Sequence, residues 1–141
     1  MPIKFFNEDT KFQLKNRILL KKWINDVILS ELKLTGEINY IFTSDKYLLS
    51  INKEYLSHHY YTDIVTFNYC EDDTISGDVY ISIDTIKNNS SRFNVTFIEE
   101  LHRVMIHGIL HLIDYDDQND EEKAIMREKE NYYLDRLKNL S

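Results

Sequence analysis

Two histidines and a group of aspartates lie close together in the segment HGILHLIDYDD, residues 107–117. His107 and His111 are four positions apart in an apolar run, which predicts a helix that carries both side chains on one face. Imidazoles at this spacing can direct nitrogens to one metal ion, at bond lengths of roughly 2.0–2.1 Å. The alternative is a pair of buried histidines hydrogen-bonded to the backbone, and the spacing taken alone favours that alternative.

The aspartates that follow strengthen the metal interpretation, provided that the helix ends in time. A continued helix would place residue 117 about 120° away from His111 and roughly 9 Å further along the axis. The chain must therefore turn after Ile113 if a third ligand is to reach the ion. Asp tolerates the left-handed backbone conformation that ends helices, so the segment IDYDD is typical of a helix exit. On this local pattern Asp114, Asp116 and Asp117 are all candidate ligands.

The elements that must position these residues alternate between short strands and helices. Strand-like patterns cover residues 3–7, 38–43, 63–69 and 77–83, and turn residues between the last two predict a hairpin. Helix-like patterns begin at Asp9 or Thr10 (ending at Gly36), at Asp45, at Asp84, at Thr96, and at Asn119 or Asp120 (ending near Leu137). Thr96 and Glu99 have capping-box spacing, which marks the start of the histidine helix.

Helices interleaved with about four strands indicate an α+β or α/β domain. We predict the α+β class, with one domain over residues 1–141. Its sheet should be mixed and mostly parallel, packed with helices, and one helix should be a zincin-like metal-binding helix. The length of 141 residues suits one core of ordinary size.

Composition narrows the class of protein further. Apolar residues make up 43% and charged residues 29%, as in soluble globular proteins, and no apolar run is long enough to span a membrane. The N-terminus has no secretory signal pattern, and Cys70 is a lone cysteine, so we expect a cytoplasmic protein.

The net charge of −7 is unusual for a protein that grips nucleic acid through phosphates. It is unevenly distributed, because residues 1–22 are mainly basic and residues 111–122 carry acidic groups with no Lys or Arg. The basic segment is either a solvated face or a phosphate-binding patch, and the solvated face is slightly favoured.

The motif segment resembles the signature of the YbeY family of metal-dependent endoribonucleases, His-Gly-x-Leu-His-Leu-x-Gly-Tyr-Asp-His. The residues that agree are His107, Gly108, Leu110, His111, Leu112, Tyr115 and Asp116. Asp114 replaces the family's Gly, and Asp117 replaces its third metal-binding His. Further similarity, collinear over about residues 38–130, comes from Asn52, Tyr55, Thr62, Asp63, Phe67, the strand starting at Gly77, and Glu100.

The resemblance implies a single-strand endoribonuclease that acts in ribosomal RNA maturation, chiefly on the small-subunit precursor. It implies that His107, His111 and Asp117 bind one divalent ion, with zinc as the expected metal. The same ligand set also resembles the 2-His-1-carboxylate face used by iron. Thr62 and Asp63 would bind substrate at the sheet edge, or would simply begin a strand. RNA is the implied partner, together with ribosomal or ribosome-assembly proteins.

Several residues bear on the chemistry. Leu56 occupies the place where family members often carry an arginine, so Arg92 or Arg103 must supply the cation, or cleavage is weak.

The loop HHYY, residues 58–61, would stack on RNA bases or lie at the surface, with the surface interpretation favoured. Gly108 stands where the peptidase motif His-Glu-x-x-His has its general base, which counts against peptidase chemistry. Asp116 would serve as a base, or, as we prefer, cap the turn or orient a ligand histidine.

Two other functions remain open on the sequence. One is a ribosome-assembly factor without catalytic activity, in which the metal is structural, and Leu56 together with the acidic balance favours it. The other is a metallohydrolase of another substrate class. The residues that transfer protons are not identified by the sequence.

Overall fold

The computed structural model describes residues 2–56 and 62–140, which form five helices around one four-stranded sheet. The strand order is β1-β2-β4-β3; β1, β2 and β4 are parallel, and β3 is antiparallel to β4. The α+β class and the mixed, mostly parallel sheet are therefore confirmed. The elements are β1 (Ile3–Asn7), α1 (Arg17–Ser30), β2 (Leu34–Thr43), α2 (Asp45–Leu56), β3 (Ile64–Asn68), β4 (Thr74–Ser82), α3 (Ile83–Arg92), α4 (Phe97–Leu112) and α5 (Asp120–Leu140).

The main core lies on one face of this sheet. Ile38, Tyr40 and Phe42 alternate along β2 and are almost fully buried there, as the two-residue period of a strand requires. Apolar stripes of α1, α4 and α5 pack against the same face. Leu48 of α2 and Val65 of β3 belong to a smaller cluster, separate from this core.

Helix α4 carries the histidines, and its sequence fixes both its start and its position. The Thr96 hydroxyl accepts a hydrogen bond from the Glu99 N–H at 3.1 Å, so the predicted cap is confirmed. Gly108 faces the sheet, where an added Cβ would stand 2.9 Å from both Ile64 Cδ1 and Val79 Cγ1. The missing side chain lets α4 lie close against β3 and β4.

The predicted boundaries of the first helix were wrong at both ends. Helix α1 begins at Arg17, because the Asp9 carboxylate accepts hydrogen bonds from the backbone N–H and the hydroxyl of Ser44 instead of capping its own segment. The helix ends before Leu32, whose φ of 63° turns the chain without a glycine. Gly36 lies in β2, where a Cβ would meet the Ser76 side chain of β4 at 2.1 Å.

The other predicted elements are confirmed with small changes in length. The hairpin pairs β3 with β4, and β2 and β4 begin earlier in the chain than predicted. Helix α3 is capped by Ser82, whose hydroxyl accepts from the Thr85 N–H. Helix α5 is capped by Asn119, whose side-chain oxygen accepts from the Glu122 N–H. Of the helices in residues 2–56 and 62–140, none is long and apolar enough to cross a membrane.

Candidate metal centre

Helix α4 ends at Leu112, one residue after His111, as a third ligand from the following segment requires. Asp114 adopts a left-handed φ of 83°, and its N–H donates to the His111 carbonyl at 3.1 Å. The Tyr115 N–H donates to the Leu110 carbonyl at 3.0 Å. This pair of bonds is the Schellman pattern, with aspartate at the position that glycine usually occupies. The chain therefore turns back towards the histidines.

The turn brings the Asp117 carboxylate to the two imidazoles. Asp117 Oδ2 lies 3.4 Å from His107 Nε2 and 3.6 Å from His111 Nε2, and the two nitrogens are 2.9 Å apart. Asp114 and Asp116, the other candidate ligands, are exposed and do not belong to this cluster in the part of the chain that is described.

These atoms fit a small divalent ion. A point equidistant from all three lies about 1.9 Å from each, close to the roughly 2.0–2.2 Å of zinc bonds to nitrogen and carboxylate oxygen. The side chains of His107, His111 and Asp117 are 21%, 25% and 39% exposed, so one side of the cluster faces solvent. The predicted ligands thus come together in a geometry that could hold a metal.

Glu130 of α5 orients the first histidine from behind. Its Oε2 lies 2.7 Å from His107 Nδ1, and its side chain is 6% exposed. A carboxylate accepts, so Nδ1 carries the proton and Nε2 presents its lone pair to the cluster. Asp116, for which the sequence analysis prefers a capping or orienting role, is exposed, and the carboxylate that contacts His107 Nδ1 is that of Glu130.

Two arginines complete the environment of Glu130. Its Oε1 accepts from Arg103 at 2.9 Å, and Arg127 lies 3.5 Å away. Burial alone would raise the pKa of Glu130, but the hydrogen bonds from His107 and Arg103 lower it below its usual value. Burial likewise opposes protonation of His107, but Glu130, and then the charge of Asp117, raise the pKa of that imidazole.

The two residues predicted to bind substrate lie just before β3. Asp63 is partly buried, and burial raises its pKa, although the nearby His107 acts in the opposite direction. The Thr62 hydroxyl donates to the Ile64 carbonyl at 3.3 Å, which supports the start of the strand. Glu100 is 6% exposed, and burial, then the charge of Asp63, raise its pKa.

The cations beside the open face differ from those expected. A cleft of about 470 Å³ next to His107 and Asp117 is lined by Lys123 and Arg127 of α5. Arg103 donates to Glu130 and Asn131, and the Arg92 guanidinium lies over the Phe93 ring. The side chain of Leu56 and the loop of His58, His59, Tyr60 and Tyr61 lie outside the described residues.

The sequence analysis missed Glu130, although a signal for it was present. Buried positions of α5 recur at Met126, Glu130, Tyr133 and Leu137, the spacing of one helix face. A carboxylate in such a stripe must have a partner, because an isolated buried charge is costly. The partner, His107, is 23 positions away, and only the fold identifies it.

Fold and site together define the class of protein: an α+β domain with an open-sided His₂Asp cluster, the arrangement typical of a catalytic rather than a structural metal site. The model of the family described as "Endoribonuclease YbeY" matches residues 4–138. The chain belongs to the YbeY family.

Individual relatives agree over nearly the whole chain. Proteins named "Endoribonuclease YbeY" from Flavobacterium psychrophilum and Bacteroides thetaiotaomicron are 48% and 46% identical, over 129 and 134 residues. The matches cover 92% of both chains in the first case, and 95% of this chain and 98% of the relative in the second. The solution structure of TM1509 from Thermotoga maritima superposes with a TM-score of 0.68 at 29% identity, covering 96% of this chain and 88% of that one.

Proposed function

We propose that this chain is a metal-dependent endoribonuclease that cleaves single-stranded RNA during ribosomal RNA maturation, chiefly of the small-subunit precursor. The observation that supports this most strongly is the triangle of His107 Nε2, His111 Nε2 and Asp117 Oδ2, with Glu130 behind it. The relatives named as endoribonucleases indicate the chemistry that such a centre performs in this family.

In this proposal His107, His111 and Asp117 hold one divalent ion, with zinc as the expected metal. When bound, the ion supplies a Lewis acid and a water of lowered pKa. Glu130 keeps the Nε2 lone pair of His107 directed at the cluster, and Arg103 holds Glu130 in place. The exposed side of the triangle leaves room for a substrate oxygen.

The cleft beside the ligands suits a phosphodiester. Lys123 and Arg127 line it together with Asp120 and Glu130. Both cations are exposed, Arg127 by 64% although it lies 3.5 Å from Glu130, so both can approach a phosphate at the open side of the cluster. They take the role of the arginine that Leu56 replaces. Thr62 and Asp63 bind the substrate in this proposal, with Asp63 accepting hydrogen bonds from ribose or base groups.

The proposed partners follow from the RNA substrate and from the negative net charge of the chain. RNA is the substrate, and ribosomal or ribosome-assembly proteins in the cytoplasm bring the acidic chain, of net charge −7, to its RNA. Cations in the basic N-terminal segment assist: Arg17 and Lys21 both lie within 6 Å of the Phe5 ring centroid. Among the described residues, no salt bridge involves either of them.

The other two functions are less well supported. A purely structural metal would not need an open side, yet all three ligands are partly exposed. Peptidase chemistry in the style of His-Glu-x-x-His needs a carboxylate at position 108, where the close contacts with Ile64 and Val79 leave no room for one.

The decisive experiment compares His111→Ala with His102→Gln, which changes a histidine on the same helix that contacts Trp23 instead of the cluster. Purified protein is tested for bound metal by elemental analysis and for cleavage of a precursor rRNA fragment. We expect His111→Ala to remain folded while losing metal and at least about 100-fold in cleavage rate, and His102→Gln to retain both. Cleavage that persists in His111→Ala would refute the proposal.

A further inference from the structure

The segment that carries Asp117 has little backbone support of its own. From Asp116 to Gln118, in the described part of the chain, no backbone group is hydrogen-bonded to another backbone group. Asp117 nevertheless has to stay within bonding distance of two imidazoles, because small displacements of a ligand weaken a metal site. Its position therefore depends on side chains: on one side the Gln118 N–H donates to Glu122 Oε1 at 3.2 Å, and on the other side Tyr115 has an anchored hydroxyl.

Tyr115 is anchored to a carboxylate at the far end of α1. Its hydroxyl donates to Glu31 Oε1 at 2.5 Å, and the Glu31 side chain is 10% exposed. The backbone of Glu31 is fixed in turn, because its N–H donates to the carbonyls of Val27 and Ile28 at the end of α1. The turn after α4 is thus tied to a rigid element more than 80 positions away.

The second oxygen of Glu31 binds α5. Glu31 Oε2 accepts from Lys129 Nζ at 3.2 Å and from the Tyr133 hydroxyl. Lys129 also lies 5.6 Å from the centroid of the Tyr115 ring, which adds a cation–π contact to the same cluster. Burial would raise the pKa of Glu31, but hydrogen bonds from Tyr115, Tyr133 and Lys129 lower it, so it binds as a carboxylate.

Helix α5 also supplies the residue that contacts His107. Glu130, which orients His107, lies between Lys129 and Tyr133 on α5. Glu31 therefore contacts both the turn that precedes Asp117 and the helix that supplies Glu130.

We propose that Glu31 is a positioning residue for the metal centre: through its hydrogen bond with Tyr115 it holds the turn before Asp117, and thereby the Asp117 carboxylate, against the two imidazoles. This rests on the proposed function only in that the three ligands bind a metal, and it does not depend on RNA cleavage.

The test compares Tyr115→Phe and Glu31→Gln with Tyr133→Phe, a matched control that removes a hydroxyl bound to the same carboxylate but leaves the turn tied. Zinc affinity is measured by competition with a chromophoric chelator, the d–d spectrum of the cobalt-substituted protein reports ligand geometry, and thermal unfolding of the metal-free chains reports stability. We expect Tyr115→Phe and Glu31→Gln to weaken zinc binding by about 10–100-fold and to alter the cobalt spectrum. Tyr133→Phe should lower stability while its zinc affinity stays within about twofold of the parent chain.

Two results would overturn the proposal, and they differ in meaning. If Tyr115→Phe and Glu31→Gln lose stability but bind zinc like the parent chain, Glu31 is structural and the metal centre stands. If the parent chain itself binds neither zinc nor cobalt, the metal centre fails, and its positioning residue fails with it.

Discussion

Replacing Glu130 by Gln would measure how much of the metal affinity comes from the residue behind His107. Gln keeps the size of the side chain and removes its charge. His107 Nδ1–H and the Arg103 guanidinium are both donors, and each now meets a different oxygen of Glu130. An amide has one oxygen and one NH₂ group, so one of the two donors would face another donor.

The expected magnitude follows from this conflict. Loss of a carboxylate that orients a ligand histidine lowers metal affinity about 10–100-fold, which corresponds to about 1.4–2.7 kcal/mol. The metal-free chain should lose about 1–3 kcal/mol of unfolding free energy, the usual cost of an unsatisfied buried donor. The larger cost of a broken buried ion pair does not apply in full, because the Arg103 side chain is 25% exposed and can turn to solvent.

The assay combines zinc competition with urea unfolding of the metal-free protein. Glu128→Gln is the control, since it removes the same charge from an exposed position on the same helix. Zinc affinity in Glu130→Gln equal to that of the parent chain would refute the orienting role. An equal loss in both variants would show that the overall charge of α5, not the contact with His107, governs affinity.

Two further predictions concern stability. Gly108→Ala should destabilise the chain by about 1 kcal/mol in urea unfolding, because a Cβ placed 2.9 Å from the stiff Val79 side chain costs more than the gain in helix propensity; an increase in stability would show that α4 does not pack so tightly on the sheet. Burial lowers the pKa of His102 below its ordinary 6.5, so the unfolded chain takes up the proton first as the pH falls. The stability of the parent relative to His102→Gln should therefore be constant above about pH 7 and decrease as the pH falls from about 6.5 to 5, and parallel curves would contradict this.

The sequence predicted the parts of the site that local chemistry determines. Thr96 starts α4, the apolar face of α4 directs the histidines, and the aspartates after Ile113 end it, all within about 20 residues. A run of this length contains its own signals for capping, periodicity and turn. The histidine pair and the turn after it were therefore accessible before the fold was known, whereas the choice of Asp117 over Asp114 and Asp116 came from the resemblance to the YbeY family.

The parts that were missed depend on partners far along the chain. Asp9 was expected to cap a helix, but it binds Ser44, 35 positions away, so α1 starts later. Glu130 and Glu31 look like ordinary charges on helices until α5 packs beside α4 and α1. Hydrogen-bonding capacity is visible in a sequence, but the choice of partner is made by tertiary packing.

The helix that supplies Glu130, Lys129 and Tyr133 follows all three metal ligands in the chain. During synthesis the two imidazoles and the carboxylate leave the ribosome first, as a short segment that can attract metal ions only weakly. Tight and selective capture has to wait until α5 has emerged and docked. The order of the elements along the chain thus makes completion of the metal centre a late event, which follows the docking of α5.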